Sequence, residues 1–246
     1  MNRLQSELQR LYLLPPTSAG DAVGGSPLIG RLGEVRAMVL ELARPADWES
    51  LSGVWRGVQA DLQLPAPAIA VSGTDGLQLW FSLQEPVSLS RAAAFIARLQ
   101  ARYLAALEPA RLRAFPSATE PPTHAPLVPA QQAATGNWSA FVAQDLAAVF
   151  AETPWLDIPP GIEGQADLLA RLQGIEPAAF DAAMRSLEPK DAAASTPRWA
   201  PSATTAGTAG EATDVDPKRF LQRVLNDETV ALALRIEAAK ALLHRP

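Results

Sequence analysis

The chain has 246 residues, with a hydrophobic fraction of 48% and a net charge of −5, so it is long enough for one sizeable core plus an appendage. It has no Cys, which excludes disulfides, thiolate nucleophiles and Cys-ligated zinc, and only 2 His residues, so a His-based metal site or triad is not expected. The acidic balance argues against a broad electropositive face for nucleic acid, although a local basic groove is compatible with it.

Residues 2–14 predict a short helix, with Leu4, Leu8, Leu11 and Tyr12 at helical spacing and Pro15-Pro16 as its stop. A Gly- and Ser-rich loop then runs to Gly33. Glu34 to Ala43 reads as a strand that is apolar on both faces. Ala46 to Leu62 reads as an amphipathic helix with Asp47 as its N-cap. Pro67 to Ser72 and Leu77 to Leu83 predict a hairpin, joined by a Ser-Gly-Thr-Asp-Gly connection. Ser88 opens a helix to about Leu107, and Arg111 to Phe115 supplies a further strand. Strand, helix, strand, strand, helix, strand is the order of an α+β fold of split βαβ (RRM- or ferredoxin-like) type.

A Pro-rich connector covers 116–136, and helices are expected over 138–150, 163–174 and 177–187. The stiff Pro154 to Pro160 segment fits an extended strap over the core. The organisation expected is an N-terminal helix and loop (1–33), an α+β core (34–115), a helical extension (116–187), a disordered linker (188–215) and a C-terminal helical hairpin (216–246). The N-terminus lacks the apolar core of a signal peptide, and no run approaches the ~20 apolar residues that span a bilayer, so a cytoplasmic location is expected.

The hairpin carries the most chemistry. Ser72, Gly73, Gly76, Leu79, Trp80 and the trailing Pro86-Val87 resemble the Ser-Gly-x-x-Gly-x-His strand motif of the archaeo-eukaryotic primase (primase-polymerase) superfamily. Gln78 stands where that family has His. On the early strand, Glu41 is the one acid where the family has two. The resemblance covers about residues 34–115 and implies an RRM-like core with acidic metal ligands. Two-metal phosphoryl transfer needs several convergent carboxylates, so with Glu41 alone and a neutral Gln78 no cofactor is expected. Mg²⁺ or Mn²⁺ would enter only if Glu41 were catalytic.

Ser72, Gly73 and Gly76 are candidates for holding a phosphate, or else serve the turn geometry alone. Gln78 and Trp80 share one strand face, so Gln78 offers a nucleotide hydrogen bonds and Trp80 a stacking surface. The alternative for Trp80 is burial beneath the helices of 138–187. Asp75 and Asp61 read as a turn former and a helix-end charge.

The tail from Asp216 resembles a helical segment of phage terminase small-subunit and mobile-element proteins, through Asp216-Pro217, Phe220-Leu221, Val224, Asn226-Asp227 and the run Arg235 to Leu243. Phe220, Leu221, Val224 and Leu234 are its candidate partner-binding residues. Two functional expectations follow. One is a non-catalytic or decayed primase-polymerase-like accessory protein of mobile-element replication, contacting DNA or RNA weakly. The other is an adaptor that docks a protein partner, or a second copy, through 216–243.

Overall fold

The computed structural model describes residues 2–14, 28–117, 119 and 121–188. The chain divides into two units, Met1–Thr196 and Pro197–Pro246. The second unit, and with it nearly all of the expected linker and the hairpin carrying Phe220, Leu221, Val224 and Leu234, lies outside the described residues.

The first unit is α+β. Its elements are α1 (Arg3–Leu11), β1 (Glu34–Ala43), α2 (Trp48–Ala60), β2 (Ala68–Val71), β3 (Gly76–Ser88), α3 (Leu89–Tyr103), β4 (Leu112–Phe115), β5 (Ala140–Val142), α4 (Ile162–Ala170) and α5 (Pro177–Ser186), with short 3-10 helices at Pro109–Arg111 and Gln144–Ala151. The five strands form one sheet in the order β4-β1-β3-β2-β5, and every neighbouring pair is antiparallel. β3 therefore lies between β1 and β2.

Local sequence explains the helix starts. Asn2 and Gln5 close a reciprocal capping box on α1. The Asp47 side chain accepts the N–H groups of Glu49 and Ser50, and Ser88 accepts that of Arg91. β3 runs to Ser88, further than the expected Leu83, and hands its last residue to α3 as the cap.

Alternation along the strands divides the interior in two. Met38, Leu40, Leu42, Leu77, Leu79 and Phe81 face a core closed by α2, α3 and α5, where Phe95 packs edge-on to Phe81 at 5.6 Å and tilted to Phe180 at 5.2 Å. Ala37, Val39, Ala68, Ala70, Trp80 and Phe141 face a second core built with α1, α4 and the Ala125–Val128 segment. Both faces of the sheet are thus covered.

Residues 138–150, expected as a helix, instead give β5 and a 3-10 helix. The free side of β2 offers hydrogen bonds that outweigh the weak helical preference of this stretch; Ala140 pairs with Val71 and Val142 with Ile69. The outward backbone of β5 is closed by a side chain. Gln165 Oε1 accepts the Phe141 N–H at 2.7 Å, and Gln165 Nε2 donates to the Phe141 carbonyl at 2.8 Å. One amide thereby imitates a neighbouring strand and blunts the sheet edge.

Arginines finish the helices. Arg36 donates to the carbonyls of Arg10 (2.9 Å) and Leu13 (3.1 Å) at the end of α1. Arg10 does the same for Leu169 and Leu172 at the end of α4, both at 3.0 Å. Arg98 reaches Met184 (2.6 Å) and Arg102 reaches Ser186 (3.4 Å) on α5. Each guanidinium meets carbonyls of a helix's last turn or just beyond it, at the negative end of the helix dipole.

Candidate functional site

The strand register brings Glu41 and, from the hairpin, Gln78 and Trp80 together with Arg113. Arg113 on β4 lies opposite Glu41 on β1, Glu41 opposite Gln78 on β3, and Gln78 opposite Ala70 on β2. Trp80 is two residues along β3, on the same face. Glu41, Gln78 and Trp80 are therefore close in space, and their polar atoms are bonded to one another and to Arg113.

Glu41 is 3% exposed and Gln78 is 2% exposed. Gln78 Nε2 donates to Glu41 Oε2 at 2.6 Å, while the Trp80 indole N–H donates to Gln78 Oε1 at 2.8 Å. Arg113 donates to the other carboxylate oxygen of Glu41. It also grips Asp75 with two bonds, at 2.7 and 2.9 Å. Arg44 adds an ion pair to Asp75 at 3.3 Å. The result is a continuous chain from Trp80 through Gln78, Glu41 and Arg113 to Asp75.

The electrostatics follow from this pairing. Its hydrogen bonds with Asp75 and then Glu41 hold the Arg113 guanidinium more firmly protonated than usual. Hydrogen bonding to Arg113, with the nearby Arg44 charge, lowers Asp75 below the ordinary carboxylate range. Gln78, where the resembled family has His, takes two hydrogen bonds and carries no titratable proton; its role here is to satisfy a buried acid and a buried indole.

The Ser-Gly-Thr-Asp-Gly turn is equally occupied. Ser72 Oγ accepts the N–H groups of Gly76 at 3.0 Å and Thr74 at 3.1 Å. The Gly73 N–H donates to the Pro154 carbonyl at 3.0 Å, and Gln132 Nε2 donates to the Ser72 carbonyl at 3.1 Å. Gly73 has φ of +80°, and a Cβ there would sit 2.8 Å from the Ser139 nitrogen, so this position needs glycine twice over. The donors a phosphate would use are engaged by the turn itself and by Pro154, at the start of the stiff segment noted in the sequence.

Trp80 is fully buried. Tyr12 meets it edge-on with ring centroids 5.3 Å apart, Phe141 at 6.0 Å, and His124 lies 6.3 Å away. Its cover thus comes from α1, β5 and the segment around His124, a wider set than the 138–187 helices considered from sequence. His124 Nε2 donates to the Ala37 carbonyl at 3.0 Å, fixing that segment to the sheet.

Arg113 is the residue that sequence reading missed. The signal was indirect, since a buried acid on a central strand calls for a cation on its neighbour. Among the described residues no group of three or more His, Asp or Glu side chains is placed to hold a metal ion. No described helix is long and apolar enough to cross a membrane. No model of a known protein family matches the chain, and no curated protein sequence matches it.

Proposed function

We propose that this protein is a non-catalytic accessory factor in which a primase-polymerase-like core has become a scaffold. The observation that carries this reading is the state of Glu41. Its carboxylate is buried and bonded on one oxygen by Gln78 and on the other by Arg113. A divalent cation would have to displace both groups and would leave Arg113 facing it, so the oxygens that a metal clamp needs are committed elsewhere. The resemblance of the hairpin and of the tail supports a role beside mobile-element replication.

Between contacting nucleic acid and docking a protein, the fate of the arginines favours the protein. Arg10, Arg36, Arg98 and Arg102 bind helix-end carbonyls and Arg113 binds carboxylates, so the N–H groups of these cations are already engaged within the protein. Phosphate binding would compete with those bonds. The tail residues Phe220, Leu221, Val224 and Leu234 remain the proposed docking surface.

Purified protein supplied with Mn²⁺ or Mg²⁺, primed template and nucleotides tests the reading. No incorporation is expected. Single-stranded DNA should bind weakly, with affinity falling steeply between low and moderate salt. Robust synthesis that is abolished by Glu41→Ala would overturn it.

A further inference from the structure

A cleft of about 280 Å³ opens on the side of the sheet away from the hairpin turn. Its walls are apolar and come from Trp55 on α2, Pro67 and Ile69 at the start of β2, Phe141 on β5, and Leu168 and Leu172 at the end of α4. Polar side chains, among them Asp145 and Arg171, are few. The size lies just below the ~300–1,000 Å³ typical of small-molecule sites, and the lining is the usual mixture of a predominantly apolar wall and few polar groups.

The cleft borders a smaller niche of about 10 Å³, with which it shares Ala66, Pro67, Ala68 and Leu172. That is room for a single water-sized group. Tyr12 and Trp80 line the niche. The Tyr12 hydroxyl is fully buried and has no hydrogen-bond partner in the protein. Burial also keeps it protonated, well above the usual phenol range. A buried hydroxyl left unpaired is costly, and that cost is regained when an acceptor arrives. The pair of cavities therefore combines an apolar recess with one donor in want of an acceptor.

We propose that the cleft binds a small apolar molecule whose carbonyl-type acceptor enters the niche and takes the Tyr12 hydrogen bond. A nucleotide does not fit this chemistry, because its phosphates need several donors and Arg171 is the single cation among the lining residues. The site touches the Glu41 row only through Trp80 and does not depend on the accessory role proposed above.

Methyl 2-naphthyl ketone titrated into the full chain labelled with ¹⁵N is the test. Trp55 lines the cleft and Trp80 the niche, so their indole N–H resonances report each part separately. Both should shift saturably with one-to-one stoichiometry. Tyr12→Phe should weaken the ketone about fivefold, the worth of one neutral hydrogen bond. 2-Ethylnaphthalene, which lacks the acceptor, should bind both proteins alike and bind the wild type about fivefold more weakly than the ketone. Absence of a saturable shift overturns the proposal. So does equal affinity of ketone and hydrocarbon for the wild type, a comparison that stands even if Tyr12→Phe does not fold.

Discussion

Gly76 is the residue that Glu41 requires: a Cβ at Gly76 would lie 2.8 Å from Glu41 Cγ and 2.9 Å from its Oε1. The two stand near one another across β1 and β3, and the missing side chain of one makes room for the carboxylate of the other. The glycine of the resembled motif thus has a packing reason here that does not involve a nucleotide. Gly76→Ala is expected to destabilise the core by about 1–3 kcal/mol through overpacking, measured by chemical denaturation. Combining it with Glu41→Ala should recover part of that loss, because the clash partner is gone.

Arg113 and Glu41 form a partly buried pair, and breaking such a pair from one side costs more than its net worth. Arg113→Ala leaves Glu41 bonded to Gln78 alone, with its charge uncompensated. A loss of about 3 kcal/mol is expected in denaturant unfolding. Glu41→Gln, which keeps the volume and removes the charge, should cost distinctly less than Arg113→Ala. Equal costs would show that the charge of Glu41 is irrelevant to the effect.

The edge closure by Gln165 has its own signature. Gln165→Ala leaves the N–H and carbonyl of Phe141 without their side-chain partner, at a cost of about 2 kcal/mol. It also reopens a strand edge, so the variant should self-associate at concentrations where the wild type does not. Light scattering and denaturant midpoints read the two effects independently. Gln165→Glu, which buries a carboxylate against the Phe141 carbonyl, should cost at least as much as Gln165→Ala at neutral pH.

His124 and Asp75 predict the response to acid. Burial lowers the His124 pKa from its ordinary 6.5, although its bond to the Ala37 carbonyl opposes the shift. The folded state then prefers the neutral ring and the unfolded state binds the extra proton. Its stabilising contribution is complete above about pH 6.5 and declines as pH falls through that value toward the folded pKa. Asp75 is also depressed, from 3.8, so its contribution is held above that pH and lost on further acidification. Melting temperatures should fall in two stages. His124→Gln should remove the upper stage, and Asp75→Asn the lower.

Much of this fold was legible because its signals are local. Asp47 and Ser88 announce their helices by side-chain chemistry, and Glu34 to Ala43 shows its strand by apolar residues on both faces. The stretch 138–150 misled because its alanines fit a helix, whereas its state is decided by β2, far away in sequence. The site was legible as a list of residues and not as chemistry. Glu41, Gln78 and Trp80 share one hydrogen-bonded row and Gly76 lies against Glu41, while Ser72 bonds within the turn, and this bonding depends on Arg113 and Pro154. Those two arrive through strand register and a loop crossing, which no spacing rule encodes. Tyr12 shows the same division, since its place on α1 follows from periodicity and its unpaired hydroxyl does not.

The arginine caps link the second core into a series. Arg36 of β1 holds the end of α1, and Arg10 of α1 holds the end of α4. α1 cannot detach without exposing Trp80 and, in the same motion, releasing the last carbonyls of α4. These helices should consequently open as one foldon, with amide protons that exchange at a common rate although α1 and α4 are far apart in the sequence. Fraying from the N-terminus is thereby converted into an event that the whole layer must share.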